Sequence, residues 1–221
     1  KLEFKKEHSE ILSSLNSQVI TLMGDTPINL SSPEQLSTLI YSRKPIDKKD
    51  WSTNFPKYMK KKEFDEQVRT KSEIIYKTKA IQCSDCFGRG FNTARKKDGT
   101  LGKAKRLCKV CNAKGILYLP QQRIAGLKFS APAASWVSNH GFSTSKTSIE
   151  MLEMVSKRKN MVQAQDFLYK VRRLSALDTY LSSFVDGIET YMKNDGKLHV
   201  RLVQHRTSTG RLASDSPNLQ N

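Results

Sequence analysis

The chain has 221 residues, 37 % of them hydrophobic and 27 % charged, with a formal net charge of +17 at pH 7. That apolar share supports the core of one large domain or two small ones and excludes disorder throughout. No apolar run is long enough to span a bilayer and no signal-peptide pattern is present, so a soluble, intracellular, cytoplasmic protein with no membrane partner is expected.

The charge is unevenly spread. Residues 1–44 are balanced, residues 131–221 carry +4, and residues 45–130 carry +13, from 21 basic and 8 acidic residues. Such an excess selects a polyanion, and nucleic acid is the natural one.

Residues 2–23 have the spacing of a helix, with Phe4, Ile11, Leu12, Leu15, Val19 and Leu22 near one face and Gly24 as its stop. A short second helix is predicted from Ser32-Pro33-Glu34-Gln35. Ser32 is placed to cap it, Pro33 suits the first turn and Gln35 completes a capping box, while Leu36, Leu39 and Ile40 supply the buried face. A helix start is also a phosphate site, so capping and anion contact by Ser32 are compatible.

Residues 45–80 lack a clear pattern. Lys60-Lys61-Lys62 precedes a predicted helix carrying Phe64, Val68, Ile74 and Ile75, thin on its apolar side and basic on the other. A solvated face is the plain reading of that charge run.

Next come two Cys-x-x-Cys pairs, Cys83/Cys86 and Cys108/Cys111, with 21 residues between them. Without a secretory signal, this spacing points to an intracellular structural Zn²⁺ site of four thiolates before disulfides, a redox dithiol or four unligated thiols. Small residues follow each pair: Gly88 and Gly90, then Ala113 and Gly115. They permit tight turns that aim backbone N–H groups at sulfur. Cys83 to Gly90 resembles the Cys-x-x-Cys-x-Gly-x-Gly repeat of the zinc module in J-domain chaperones. The second repeat departs from it at Ala113, and the likeness implies shared knuckle geometry without shared function. Asp98-Gly99 predicts the turn of a basic hairpin between the knuckles.

Residues 120–142 contain Pro120, Ala131, Pro132, Ala133 and Ala134 and are expected to return as a linker with little regular structure. Ser143-Thr144-Ser145 then opens a helix with Ile149, Leu152 and Val155 inward. Residues 161–192 predict one long helix through Phe167, Leu168, Val171, Leu174, Leu177, Leu181, Phe184, Ile188 and Tyr191, of about 45 Å. It is the natural antiparallel partner of the first helix. Asn194-Asp195-Gly196 is a turn signal, and Leu198 to Arg206 is expected to be a strand with Leu198, Val200 and Leu202 on one face. His199 and His205 lack an accompanying carboxylate pair or third ligand, which favours structural or DNA-facing roles over catalysis.

The chain closes with Thr209-Gly210-Arg211-Leu212-Ala213-Ser214-Asp215-Ser216-Pro217-Asn218-Leu219-Gln220-Asn221. Its Arg, Asn and Gln are side chains that reach base edges and sugars. Over thirteen positions it resembles the signature T-G-R-L-S-S-x-x-P-N-L-Q-N of family A DNA polymerases, the class of the bacterial repair polymerase and several phage replicases. Ala213 in place of the first Ser is the one departure. In that family the run lies on the palm near the primer terminus. Ile28 to Leu36 is similar to the family's thumb segment N-L-S-S-x-x-Q-L.

The resemblance implies a nucleotidyltransferase whose template–primer DNA is met by Thr209, Arg211, Asn218, Gln220 and Asn221 from the palm, and by Asn29, Ser31 and Ser32 from the thumb. Arg172 falls at a basic position of the family near the duplex, although the second basic residue of that pair is replaced by Ala176. The implied fold is mainly α with a small β part. It comprises thumb helices (1–44 and 131–193), an inserted zinc-ribbon-like module (45–130) and the first strands of an α+β palm (194–221). The family's two metal-binding Asp residues and its fingers helix would follow Asn221. The expectation is therefore a piece that needs the remainder of the polymerase, in the same chain or as a split subunit. It is expected to be inactive alone and to hold none of the complete enzyme's Mg²⁺. By position the insertion resembles one that recruits a processivity factor in some phage members. A non-enzymatic zinc-ribbon protein that binds nucleic acid or adapts a replication partner is the competing reading.

Overall fold

The computed structural model describes residues 2–95, 101–186, 190–192, 196–203 and 211–215. The fold is mixed α and β: five α-helices and small two-stranded antiparallel sheets among the described residues. This is richer in β than the expected mainly α fold. The chain divides into two compact units, Asn16–Lys159 and the pair Lys1–Leu15 with Asn160–Asn221.

The discontinuous unit is built on helix α1 (Leu2–Met23), through its first fourteen residues, and α5 (Val162–Tyr180). Phe4 meets Tyr180 with ring centroids 5.0 Å apart, Glu7 meets Arg173, His8 meets Asp178 and Ser14 meets Lys170. Ascending numbers on one helix face descending numbers on the other, so the two run antiparallel, as their apolar faces predict. Leu15, Phe167, Leu168, Val171, Leu174 and Leu177 are buried, whereas Leu12, assigned to the inner face, is exposed. Regular α-helix runs to Tyr180, and residues 190 and 191 are again helical. At Leu181–Asp186 the helix widens into a π turn, where Ser182 and Ser183 give the ladder little intrinsic support. Strand β9 (Arg201–Val203) pairs with β10 (Ala213–Asp215), Ala213 opposite Val203. Val203 is buried and Leu202 is 63 % exposed, so the inward face of this strand is opposite to the expected one. The predicted turn at Asn194-Asp195 and residues 204–206 of the predicted strand lie outside the described residues.

The second unit opens where α1 stops. Gly24 does more than end the helix: its φ is +84°, and a Cβ there would lie 2.1 Å from the Thr78 carbonyl oxygen. Only glycine admits that approach. Helix α2 (Pro33–Tyr41) follows, then β1 (Arg43–Pro45), α3 (Lys61–Lys71) and β2 (Ser72–Ile74), with β1 and β2 paired. The helix predicted through Ile75 thus ends at Lys71, and Ile74 belongs to a strand. The patternless stretch after residue 45 in fact supplies the core. Trp51, Phe55, Phe64, Phe142 and Tyr41 form a run of ring contacts with centroids 4.5 to 5.7 Å apart. No periodicity announces it, because Trp51 and Phe55 sit in irregular backbone.

The chain then leaves as β3 (Tyr76–Gln82) and comes back as β6 (Ile116–Ile124), paired from Gln82 opposite Ile116 to Tyr76 opposite Ile124. Beyond the cysteines, β4 (Phe91–Arg95) pairs with β5 (Leu101–Leu107), the hairpin expected there. Its turn at Asp98-Gly99 lies outside the described residues. The base of the β3–β6 ribbon is fastened by backbone hydrogen bonds: Gly126 N–H to the Leu22 carbonyl, Leu127 to Leu39 and Phe129 to Ile40. Carbonyls at the ends of α1 and α2 are satisfied in this way. The return segment is therefore more ordered than a linker. It holds the end of β6, a 3₁₀ turn (Ala134–Trp136) and a short β7–β8 pair (Val137–Ser138 with Gly141–Phe142). Helix α4 (Lys146–Arg158) begins as predicted: Ser145 Oγ accepts from Ser148 N–H at 3.3 Å, and Ile149 and Leu152 are buried.

Candidate metal centre and nucleic-acid interface

Cys83 follows the outgoing strand of the ribbon, and Cys108 follows the returning strand of the hairpin. Each opens a tight turn, and the two turns repeat at an offset of 25 residues. Gly88 N–H and Ala113 N–H bond to the carbonyls of Cys83 and Cys108, and Arg89 N–H and Lys114 N–H to those of Cys86 and Cys111. The halves then interlock, since Cys83 N–H donates to the Gly115 carbonyl and Cys108 N–H to that of Gly90, both at 2.9 Å. The turns need left-handed backbone at Phe87, Gly88 and Gly90, and again at Asn112, Ala113 and Gly115. Ala113, at φ +65°, occupies the place where the first repeat has Gly88.

This geometry gathers all four Sγ atoms within 4.8 Å of one another, and every one of these cysteines is buried. Cys83 Sγ lies 3.9 Å from Cys108 Sγ and Cys86 Sγ 3.6 Å from Cys111 Sγ. Four thiolates at about 2.3 Å around a tetrahedral ion stand about 3.8 Å apart, so the quartet fits a metal such as zinc. The predicted N–H donors are in place: Gly90 N–H reaches Cys86 Sγ at 3.3 Å and Gly115 N–H reaches Cys111 Sγ at 3.2 Å. Sequence reasoning missed Asp85, whose Oδ2 accepts from Cys108 Sγ at 3.0 Å and from Asn92 Nδ2 at 2.7 Å. A carboxylate inside a Cys-x-x-Cys pair was its available signal. Sharing its proton with Asp85 pushes the Cys108 thiol up to about 12. Burial would raise Cys111 too, but Gly115 N–H and the neighbouring cysteine thiols bring it down to about 7. Unlike thiols packed together must all lose their protons to ligate a cation, which couples metal affinity to pH.

The expected DNA contacts stand as follows. Asn29 and Ser31 are exposed in the turn before α2. Asn29 Oδ1 accepts from Ser31 N–H at 3.0 Å, and Gln35 Oε1 accepts from Asn29 N–H at 2.7 Å. The predicted capping box is thus not formed: Ser32 holds the N-cap position but its side chain makes no cap bond, and Gln35 reaches past it to Asn29. Arg172 is half-buried on α5, its guanidinium 5.8 Å from the Tyr169 ring centroid. Arg211 is exposed, two residues before β10, while Thr209, Asn218, Gln220 and Asn221 lie outside the described residues, as does His205. His199 is exposed.

Around the knuckles, Leu117 packs against the cysteines and Phe91 is half-buried with Lys105 Nζ 4.6 Å from its centroid. Ile116 is exposed, and so are Phe87, Leu107 and Val110, which the sequence did not single out.

A sequence model described as DNA polymerase family A matches residues 125–221. DNA polymerase I of Lactococcus lactis subsp. cremoris is 35 % identical over 75 residues, 34 % of this chain and 8 % of that protein. The corresponding protein of Streptococcus pneumoniae serotype 4 is 52 % identical over 40 residues, 18 % of this chain and 5 % of its own length. That of Bacillus subtilis is 34 % identical over 76 residues, 34 % of this chain and 8 % of the relative. The chain thus spans at most 8 % of the length of these relatives.

Proposed function

We propose, from the match of residues 125–221 to the DNA polymerase family A model, that the chain is a template–primer-binding part of a phage-like polymerase, interrupted by a basic zinc module. Residues 1–44 and 131–193 are the thumb, 45–130 the insertion and 194–221 the start of the palm. The ordered terminal signature, inside the family match, carries this reading. Arg211 enters the minor groove near the primer end, where every base pair offers acceptors, and Thr209, Asn218, Gln220 and Asn221 add contacts there. Asn29, Ser31 and Ser32 approach the DNA backbone from the thumb. Ser32 has no cap bond of its own, which leaves its hydroxyl available to a phosphate. Arg172 supports the duplex. Nucleotidyl transfer and its Mg²⁺ belong to the complete polymerase, and the 221 residues alone extend no primer.

Cys83, Cys86, Cys108 and Cys111 hold one structural Zn²⁺, whose role is to order the turns at the end of the ribbon. The insertion clamps DNA directly: its charge of +13 neutralises phosphates and releases counterions. A second reading, docking of a processivity partner, is favoured by exposed Phe87, Leu107, Val110 and Ile116. The test is the complete enzyme with residues 45–130 replaced by a short linker. Shorter products per binding event, a flatter salt dependence of DNA binding and retained single-nucleotide addition are expected. Unchanged processivity and salt slope would refute the clamp. Lost processivity at an unchanged salt slope would transfer the role to a protein partner.

A further inference from the structure

Residues 56–60 and the first turn of α3 (Lys61 to Glu63) form an excursion whose two ends are held together. Phe55 and Phe64 are both 4 % exposed, and their rings meet edge to face at 5.7 Å. Phe55 packs in turn on Trp51, so the rim is part of the core, and the Phe64 N–H bond to the Lys60 carbonyl at 2.9 Å belongs to the first turn of α3. At the apex Tyr58 is 97 % exposed. Lys57, Lys60, Lys61 and Lys62 beside it are exposed as well. The nearby carboxylates of Glu66 and Glu73 are engaged by Arg69 and Lys44, which leaves Glu63 and Asp65 as the acids flanking the lysines.

A lone exposed ring is ordinary. A ring placed in water by a pinned loop, with four exposed lysines within four residues of it in sequence, suits a partner that is both anionic and flat. We propose that this loop is a single-strand contact: Tyr58 stacks on an unpaired base while the lysines hold the phosphates on either side of it. Duplex DNA fits less well, because its base faces are already stacked inside the helix and offer the ring nothing. The inference rests on the reading that the insertion meets DNA, and it assigns the strand form and the residue that detects it.

The experiment is fluorescence anisotropy of this 221-residue chain with an oligothymidylate of roughly 20 nucleotides and with a duplex of equal length. Tyr58→Ala is expected to weaken single-strand binding about tenfold and duplex binding less than about twofold. Tyr58→Phe, which keeps the ring, should restore the single-strand affinity. Replacing the four lysines by Gln should lower the single-strand salt slope by about 3. Unchanged single-strand affinity in Tyr58→Ala, or an equal loss on the duplex, overturns the inference, while steep, salt-dependent duplex binding by the unaltered chain still supports the broader reading. An unaltered chain that binds neither form defeats both.

Discussion

The interlocked knuckles make a prediction whose sign differs at two neighbouring positions. At Gly115 (φ +73°) an added Cβ would lie 2.2 Å from the Gly88 carbonyl oxygen, in the opposite knuckle. The left-handed backbone costs an L-residue about 1–2 kcal/mol. Relieving the overlap costs about 1–3 kcal/mol more, because a backbone carbonyl has to move. The same shift drags Gly115 N–H from Cys111 Sγ, 3.2 Å away. Gly115→Ala should therefore cost about 3 kcal/mol, which lowers metal affinity by about two orders of magnitude. Ala113 is the converse, since it already bears a Cβ at φ +65° where its counterpart Gly88 has none. Ala113→Gly should relieve about 1 kcal/mol and tighten binding by about fivefold. Competition with a chromophoric chelator, followed by metal analysis of the purified variants, measures both. Weaker binding by Ala113→Gly, or wild-type affinity in Gly115→Ala, would show that knuckle geometry does not set the affinity.

Two further outcomes are expected. Arg173 holds the Glu7 carboxyl below its usual range of about 4.5 through a bidentate pair at 2.7 and 3.0 Å. The stabilisation is then complete above pH 4.5 and disappears as pH falls through the lowered value, so the melting-temperature gap between wild type and Glu7→Gln should close on acidification; a gap independent of pH would contradict this. Trp51 is 1 % exposed and touches both Phe55 and Phe142. Trp51→Ala should cost about 3–5 kcal/mol in chemical denaturation, and a loss under about 1 kcal/mol would show that the ring cluster does not anchor the unit.

Local features of this chain were legible because their causes are local. A doubled Cys-x-x-Cys followed by small residues encodes its own turns, and the N–H donors appear where that pattern puts them. The antiparallel pairing of α1 and α5 followed from two apolar stripes that each needed cover. Other features depended on partners that only the folded chain brings together. Ser32, Pro33 and Gln35 spell a capping box, yet Asn29 N–H captured Gln35, since a side chain bonds whichever donor the folded turn brings closest. Gly24 reads as a helix stop, and only the arrival of Thr78 showed why no side chain fits there. Trp51 and Phe55 carry no period because they are fixed by rings at Phe64 and Phe142, not by a repeating backbone. Asp85 became a partner of Cys108 only once two turns 25 residues apart had closed on each other. Spacing in sequence determines which elements form and which side chains they present; the tertiary structure decides which long-range partner satisfies each buried group, because that depends on how the chain closes and not on any local pattern.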